Sequence, residues 1–252
     1  MRKLFFIATV FLTISATSQG NKAVKSGEKL VYAASYNMSG LMTQLAQVTM
    51  ETETVKTSKN TLLHLSCEAT TYSKWDAFFK IRDIYESYVN PETLKPSLYK
   101  RDILEGKFTK KEKYIFKNGT IESTMKKSTN PEVKKTFQVG VGTNDVVATL
   151  YQLRNLDFSK MQAGQTKSFI VVFDEKEMKV SAKYMGKETV KAGKLGQKTC
   201  YKISIGAQTN KLKGTDKNLI WLTADAAKVP ALIKFSIPVG TGQLTLTNAT
   251  GL

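Results

Sequence analysis

From Glu28 onward, apolar and polar residues alternate in short runs separated by turn residues, the period-two pattern of half-buried strands. The alternation predicts strands over residues 29–38, 44–56 and 61–72, the third with Leu63, Leu65, Cys67 and Ala69 on one face. Residues 73–80, with Trp75, Phe78 and Phe79, read as a short helix or a strand bend, and 80–89 resume as a strand. Pro91 and Pro96 bracket a connection, because proline has no N–H to give a sheet interior. Residues 97–104 and 108–116 form a hairpin around Glu105-Gly106-Lys107. Asn118-Gly119, the pair best suited to a type I′ turn, leads into a strand at Ile121. A polar loop over 126–135 then precedes a short strand at 136–139.

One stretch breaks the alternation. Residues 144–156 place Val146, Leu150 and Leu153 at helical spacing, with Val147, Leu150, Tyr151 and Arg154 as an overlapping stripe, and Asn144 or Asp145 supplies the cap. Strands return at 167–173, so apolar that they read as central and buried on both faces. Further strands follow at 177–185, 188–192, 197–206, 218–223, 230–237 and 243–248. The pattern predicts a mainly β protein: a large curved antiparallel sheet or half-barrel of about a dozen strands with one central helix. No composition shift divides it, so residues 21–252 read as a single domain.

The first twenty residues lie outside this pattern. Arg2 and Lys3 precede an apolar run too short to span a bilayer, and small residues follow, with cleavage expected after Ser18 or Gly20. These are the parts of a secretory signal peptide. They predict an exported protein, placed in a bacterial periplasm, associated with the outer membrane or secreted. The formal charge of +17 falls by two when Arg2 and Lys3 leave, and the remaining excess suits an anionic lipid or another anionic envelope component. Export makes nucleic acid an improbable partner, and no later stretch is long and apolar enough to cross a membrane as a helix. Export also permits a disulfide between Cys67 and Cys200, although the opposite strand phases of the two leave unpaired thiols as the alternative.

Catalytic chemistry finds little support. His64 is the only histidine and alternates against Leu63 and Leu65, so it reads as a structural or surface residue. No Gly-x-Ser-x-Gly elbow is present, and one histidine with two distant cysteines makes no zinc site. Asp174, Glu175 and Glu177 lack calcium-loop spacing and read as a charged hairpin tip. Gly140-Val141-Gly142 lacks the Gly-Lys-Ser/Thr of a phosphate loop, and Asp145 repels the anion such a loop would hold. A protein without enzymatic activity or cofactor is the expectation.

Several spaced features carry a family resemblance. They are Asp83, Tyr85 and Tyr88 before Pro91 and Leu94-Lys95-Pro96, then Arg101 and Glu105-Gly106. The helix follows, with Asp145, Tyr151, Leu153 and Arg154, and then Trp221-Leu222-Thr223-Ala224-Asp225, Val229-Pro230 and Ile237-Pro238-Val239-Gly240. This arrangement resembles the DUF3108 family of exported bacterial proteins, which implies no catalytic residues. The closing segment is also similar in architecture to LolA/LolB-type lipoprotein carriers, whose curved sheet holds acyl chains. Two functions are therefore expected to compete: an envelope protein binding a lipophilic or anionic lipid-like ligand, and a scaffold or assembly factor recognising another envelope protein through a strand edge. Tyr151, Arg154 and Trp221 are the candidate ligand-binding residues. Arg154 must find either a carboxylate or an anionic ligand, because a buried guanidinium is normally paired.

Overall fold

The computed structural model describes residues 20–38, 40–207, 218–237 and 240–252. The proposed signal segment lies outside them apart from Gly20. Eight strands come first: β1 (Lys29–Met38), β2 (Leu41–Lys56), β3 (Thr61–Thr71), β4 (Arg82–Val89), β5 (Pro96–Glu105), β6 (Phe108–Lys117), β7 (Thr120–Lys127) and β8 (Val133–Gln138). A one-turn helix, α1 (Ser73–Asp76), sits between β3 and β4, and α2 (Val146–Arg154) follows β8. Six strands complete the chain: β9 (Thr166–Phe173), β10 (Lys176–Lys191), β11 (Gln197–Ala207), β12 (Leu219–Thr223), β13 (Pro230–Ile237) and β14 (Gly240–Thr250). They form one 14-stranded antiparallel sheet, in the order β8-β7-β6-β5-β4-β3-β2-β1-β14-β13-β12-β11-β10-β9. The chain thus starts in the middle, meanders to one edge, crosses through α2 to the other edge and meanders back.

Side-chain alternation gives the sheet its inner face. Register aligns Leu65 with Ser87, Ser87 with Tyr99, Tyr99 with Tyr114 and Tyr114 with Ser123. These side chains turn inward, and Leu65, Tyr99 and Tyr114 join the main core with Leu30, Tyr32 and Met50. The helix fills this core through Val147, Ala148 and Tyr151, while Leu153 enters a second cluster with Phe158, Tyr184, Tyr201 and Ile203. Covered on both sides, α2 has little need of a polar face. It starts where Asp145, in extended conformation, accepts from the Ala148 N–H at 2.8 Å, and it ends at Asn155, whose side-chain oxygen accepts from Lys22 N and Ala23 N.

Four local expectations need correction. Residues 167–173 form β9, an edge strand rather than a central one. Its apolar run is explained by Asn144, which bridges to Val171 in parallel and covers part of the free edge, and by α2 packing over Val172. The two strands expected over 177–192 are one, β10, with its register shifted between Tyr184 and Gly186, where Gly186 takes a φ of 107° that other residues avoid. The loop expected over 126–135 is shorter, because β8 begins at Val133 and its exposed lysines hide an edge strand. Asn118-Gly119 does close a two-residue hairpin, but only Gly119 has positive φ; the turn with two positive φ values is Asp174-Glu175, at 51° and 59°.

The cysteines are unpaired. Cys67 stands on β3 and Cys200 on β11, with five strands between them in the sheet. Burial pushes both thiols up, Cys67 to about 12 and Cys200 to about 11. His64 stacks on Tyr88, and its Nε2 lies 2.8 Å from Glu86, a structural placement.

Candidate functional site

The sheet's two edges do not pair through a backbone ladder, and what joins them defines the site. The β9–β10 turn reaches across the roll to the inner face of β5–β8. Asp174 there binds Arg101 of β5 and Lys110 of β6, the latter at 2.6 Å. Both cations also contact Glu112, at 2.8 and 3.0 Å, so two cations meet two carboxylates. Glu175 accepts from Ser123 of β7 at 2.8 Å and from Lys135 of β8 at 2.6 Å, while its backbone N–H donates to the Tyr114 hydroxyl at 2.8 Å. Only a rolled sheet allows residues at its far edge to make these contacts. The Arg101 guanidinium lies 4.4 Å from the Phe173 ring centre. Burial opposes its charge, yet the surrounding anionic groups hold its pKa above the ordinary arginine value.

Beside this clasp, between β7–β8 and β9–β11, opens a cleft of about 1300 Å³. Its apolar lining includes Met125, Val133, Val171, Phe173, Met178 and Val180. Lys110, Lys127, Lys135 and Lys176 stand in the same wall. Lys110 and Lys135 are engaged in the clasp; Lys127 and Lys176 carry no ion pair among the described residues. Chemically, the cleft offers an apolar channel with cations beside it. Among the described residues no cluster of His, Cys, Asp and Glu could hold a metal, and no helix is long and apolar enough to cross a membrane.

The three residues singled out from sequence sit elsewhere. Arg154 is fully buried and held bidentately by Glu28, both Nη–Oε distances being 2.6 Å, with further bonds to the carbonyls of Ala23 and Ala227. Of the two alternatives for its charge, the carboxylate is the one observed. Tyr151 is buried, its hydroxyl 3.4 Å from Thr52 Oγ1. Trp221 is buried too, its indole N–H donating to Glu188 at 3.2 Å and its ring lying beneath Lys202 and Lys234. None of the three lines the cleft. Of the β6 lysines, Lys111 and Lys113 face solvent. Lys110, however, shares the inward phase of Glu112 and Tyr114, and that phase was the available signal.

The remaining inward charge on the helix is Asp145. Its carboxylate accepts from Ser87 at 2.6 Å as well as from Ala148, but full burial still pushes its pKa up to about 6. Both sheet edges are guarded: β9 by the Asn144 bridge, and β8 by its short length and its Lys134 and Lys135.

A single rolled meander of antiparallel strands, left open at one seam and filled by one helix, defines a β-barrel-like protein. The chain belongs to the DUF3108 family, described as proteins of unknown function, whose model matches residues 31–247. Among solved structures it is similar to a β-barrel-like protein of the DUF1849 domain from Brucella abortus, at 11% identity and a TM-score of 0.57, covering 88% of this chain and 96% of that one. A candidate lipoprotein from Parabacteroides distasonis also aligns, at 9% identity over 90% of this chain and 96% of that one, as does a candidate exported protein of YmcC-like fold from Bacteroides fragilis, at 8% over the same shares. Their TM-scores of 0.36 and 0.29 are too low to define a common fold. What the Brucella protein shares with this chain is the fold. No curated protein matches the sequence.

Proposed function

We propose that this protein is a non-enzymatic component of the bacterial envelope that holds an amphiphile in the seam cleft, its apolar chain against Met125, Val133, Val171 and Met178 and its anionic group toward Lys127 and Lys176. The observation that carries this reading is the combination of a large apolar cleft with two lysines in its wall that lack ion-pair partners among the described residues. At about 1300 Å³ the cleft exceeds the roughly 300–1,000 Å³ usual for small-molecule sites, which suits a long acyl chain. Each buried methylene contributes about 0.8 kcal/mol, so ten supply about 8 kcal/mol against an association cost of roughly 4–15 kcal/mol, and a long chain is favoured over a short one. A signal-like N-terminus and a basic surface agree with such a role. Recognition of another envelope protein by strand addition is the weaker reading, since both sheet edges are guarded.

The test is uptake of fluorescent fatty acid, phospholipid or lipopolysaccharide by delipidated protein, with native mass spectrometry of the protein as purified. Met178→Glu, which places a charge in the apolar wall, is expected to abolish uptake while leaving the thermal unfolding midpoint near that of the parent. If none of the three lipids binds the parent protein, the reading fails.

A further inference from the structure

In a meander, alternate connections emerge at the same end of the sheet. The β1–β2, β3–β4, β5–β6 and β7–β8 turns therefore form one rim, and hydrogen bonds knit it together. Trp75 of α1 donates its indole N–H to Gln44 O at 2.9 Å, Gly106 N donates to Lys80 O at 2.7 Å, and Ser128 N donates to Thr109 O at 2.8 Å. Among the described residues, this rim carries the most exposed large apolar side chains apart from Val141. Phe78 is 81% exposed and Leu41 74%, and Phe79 and Phe108 are also exposed. Phe79 lies against Gly106, so the β3–β4 and β5–β6 tips make one continuous patch rather than scattered side chains. Lys74, Lys80 and Lys107 are exposed between these apolar tips. Acid on the rim is limited: Asp76 is paired with Arg82 at 2.6 Å, Asp83 is buried, Glu132 lies 3.6 Å from Lys134, and Glu105 is exposed.

We propose that this rim docks on an anionic phospholipid membrane surface, with Phe78, Phe79 and Leu41 entering the interface and the lysines meeting the headgroups. Exposed aromatic and aliphatic tips interleaved with lysine are what an interfacial contact requires, since apolar insertion and attraction to anionic lipid add together. The charge complementarity selects a membrane over a second copy of this chain, which would bring like charges face to face. The seam cleft opens at this same end, because its wall includes Asn130 and Pro131 of the β7–β8 turn and Ala207 at the close of β11. Docking rests on the rim alone and does not require that the cleft hold a lipid.

The experiment is co-sedimentation of the protein with vesicles of phosphatidylethanolamine and phosphatidylglycerol, compared with pure phosphatidylcholine vesicles. The expected result is binding to the anionic vesicles, weakened about tenfold or more by F78S/F79S and weakened likewise by K74Q/K80Q/K107Q or by high salt. Both variants are expected to keep the parental unfolding midpoint and, as a separate readout, the parental uptake of monomeric fluorescent fatty acid. Absence of binding to anionic vesicles overturns the proposal, as does binding that F78S/F79S leaves unchanged. A dimer seen by analytical ultracentrifugation that F78S/F79S dissolves, with no vesicle binding, overturns it in favour of self-association. Loss of fatty-acid uptake by M178E with vesicle binding intact separates this surface from the cleft.

Discussion

Replacing Glu28 by glutamine keeps the side chain's shape and removes its charge, which makes it a direct probe of the bond between the helix and the sheet. Arg154 and Glu28 are 0% and 2% exposed, and the guanidinium receives two charged contacts of 2.6 Å from the carboxylate. Burial works against the arginine's charge, and Glu28 more than offsets it, so the pKa of Arg154 lies above its ordinary value. In Glu28→Gln the cation keeps no anionic partner among the described residues: it retains the amide oxygen, the carbonyls of Ala23 and Ala227, and the Tyr151 ring 5.2 Å away. Removing one member of a buried pair costs about 3–5 kcal/mol; the retained acceptor argues for the lower end, about 3 kcal/mol. Against a total stability of roughly 5–15 kcal/mol, that is a large share. Arg154→Met carries its own loss, because the carboxylate is then stranded and two carbonyls lose a donor. The double variant E28Q/R154M strands no charge, so the cycle is expected to give a coupling energy of about 2 kcal/mol or more. Equilibrium urea unfolding, followed by tryptophan fluorescence at unchanged m-value, measures each corner. If Glu28→Gln lies within about 1 kcal/mol of the parent, or the double variant loses the sum of the singles, the pair does not tie the helix to the sheet.

Two other sites give separate expectations. Asp145, held at about 6 by burial, binds its proton more tightly folded than unfolded, so its contribution is fully present below the unfolded value near 4 and is lost as pH rises through 6. Asp145→Asn keeps an acceptor for Ala148 and removes this titration, so it should gain on the parent by on the order of 2–3 kcal/mol between pH 4 and pH 7; urea midpoints that move in parallel over that range would refute the assignment. At the seam, Tyr114→Phe deletes the acceptor for the Glu175 N–H and should speed amide hydrogen exchange in the β9–β10 turn, whereas Tyr99→Phe, which removes a buried hydroxyl with no hydrogen-bond partner among the described residues, should leave both exchange and stability near the parent. Equal exchange in the two variants would show that the clasp does not depend on Tyr114.

The contrast between what alternation disclosed and what it concealed follows from the range of the forces involved. Strands such as β1, β3 and β13 were legible because period-two burial is written locally, and α2 because Asp145 and the Val147–Tyr151 spacing sit within a few residues of each other. The edge position of β9 was not, since Val171 and Val172 are covered by Asn144 and by α2, and hydrophobicity does not record what does the covering. Arg154 could be recognised as needing a carboxylate, but Glu28 lies 126 residues away, and no local pattern names it. The cleft was the least legible part. Its walls come from β6–β11, and its lysines resemble solvated ones until the inward phase shared by Lys110, Glu112 and Tyr114 is followed across the register. The helix stripe that marks Tyr151 and Arg154 is local to residues that pack the interior, and it carries no record of the seam.

The strand order also has a consequence in time. β1 lies between β2 and β14, with Lys29 opposite both Glu51 and Thr250. Its first neighbour is available after a short hairpin, its second only when more than two hundred further residues have been delivered. Closing so long a loop adds only slowly to the entropic cost, by about 0.6 kcal/mol for each doubling, but contacts so distant in sequence place a protein among the slow folders. Until β14 arrives, one side of the central strand is an open row of N–H and C=O groups, and Arg154 already has Glu28 to bind. A chain lacking β14 would leave that side of β1 as an unpaired edge.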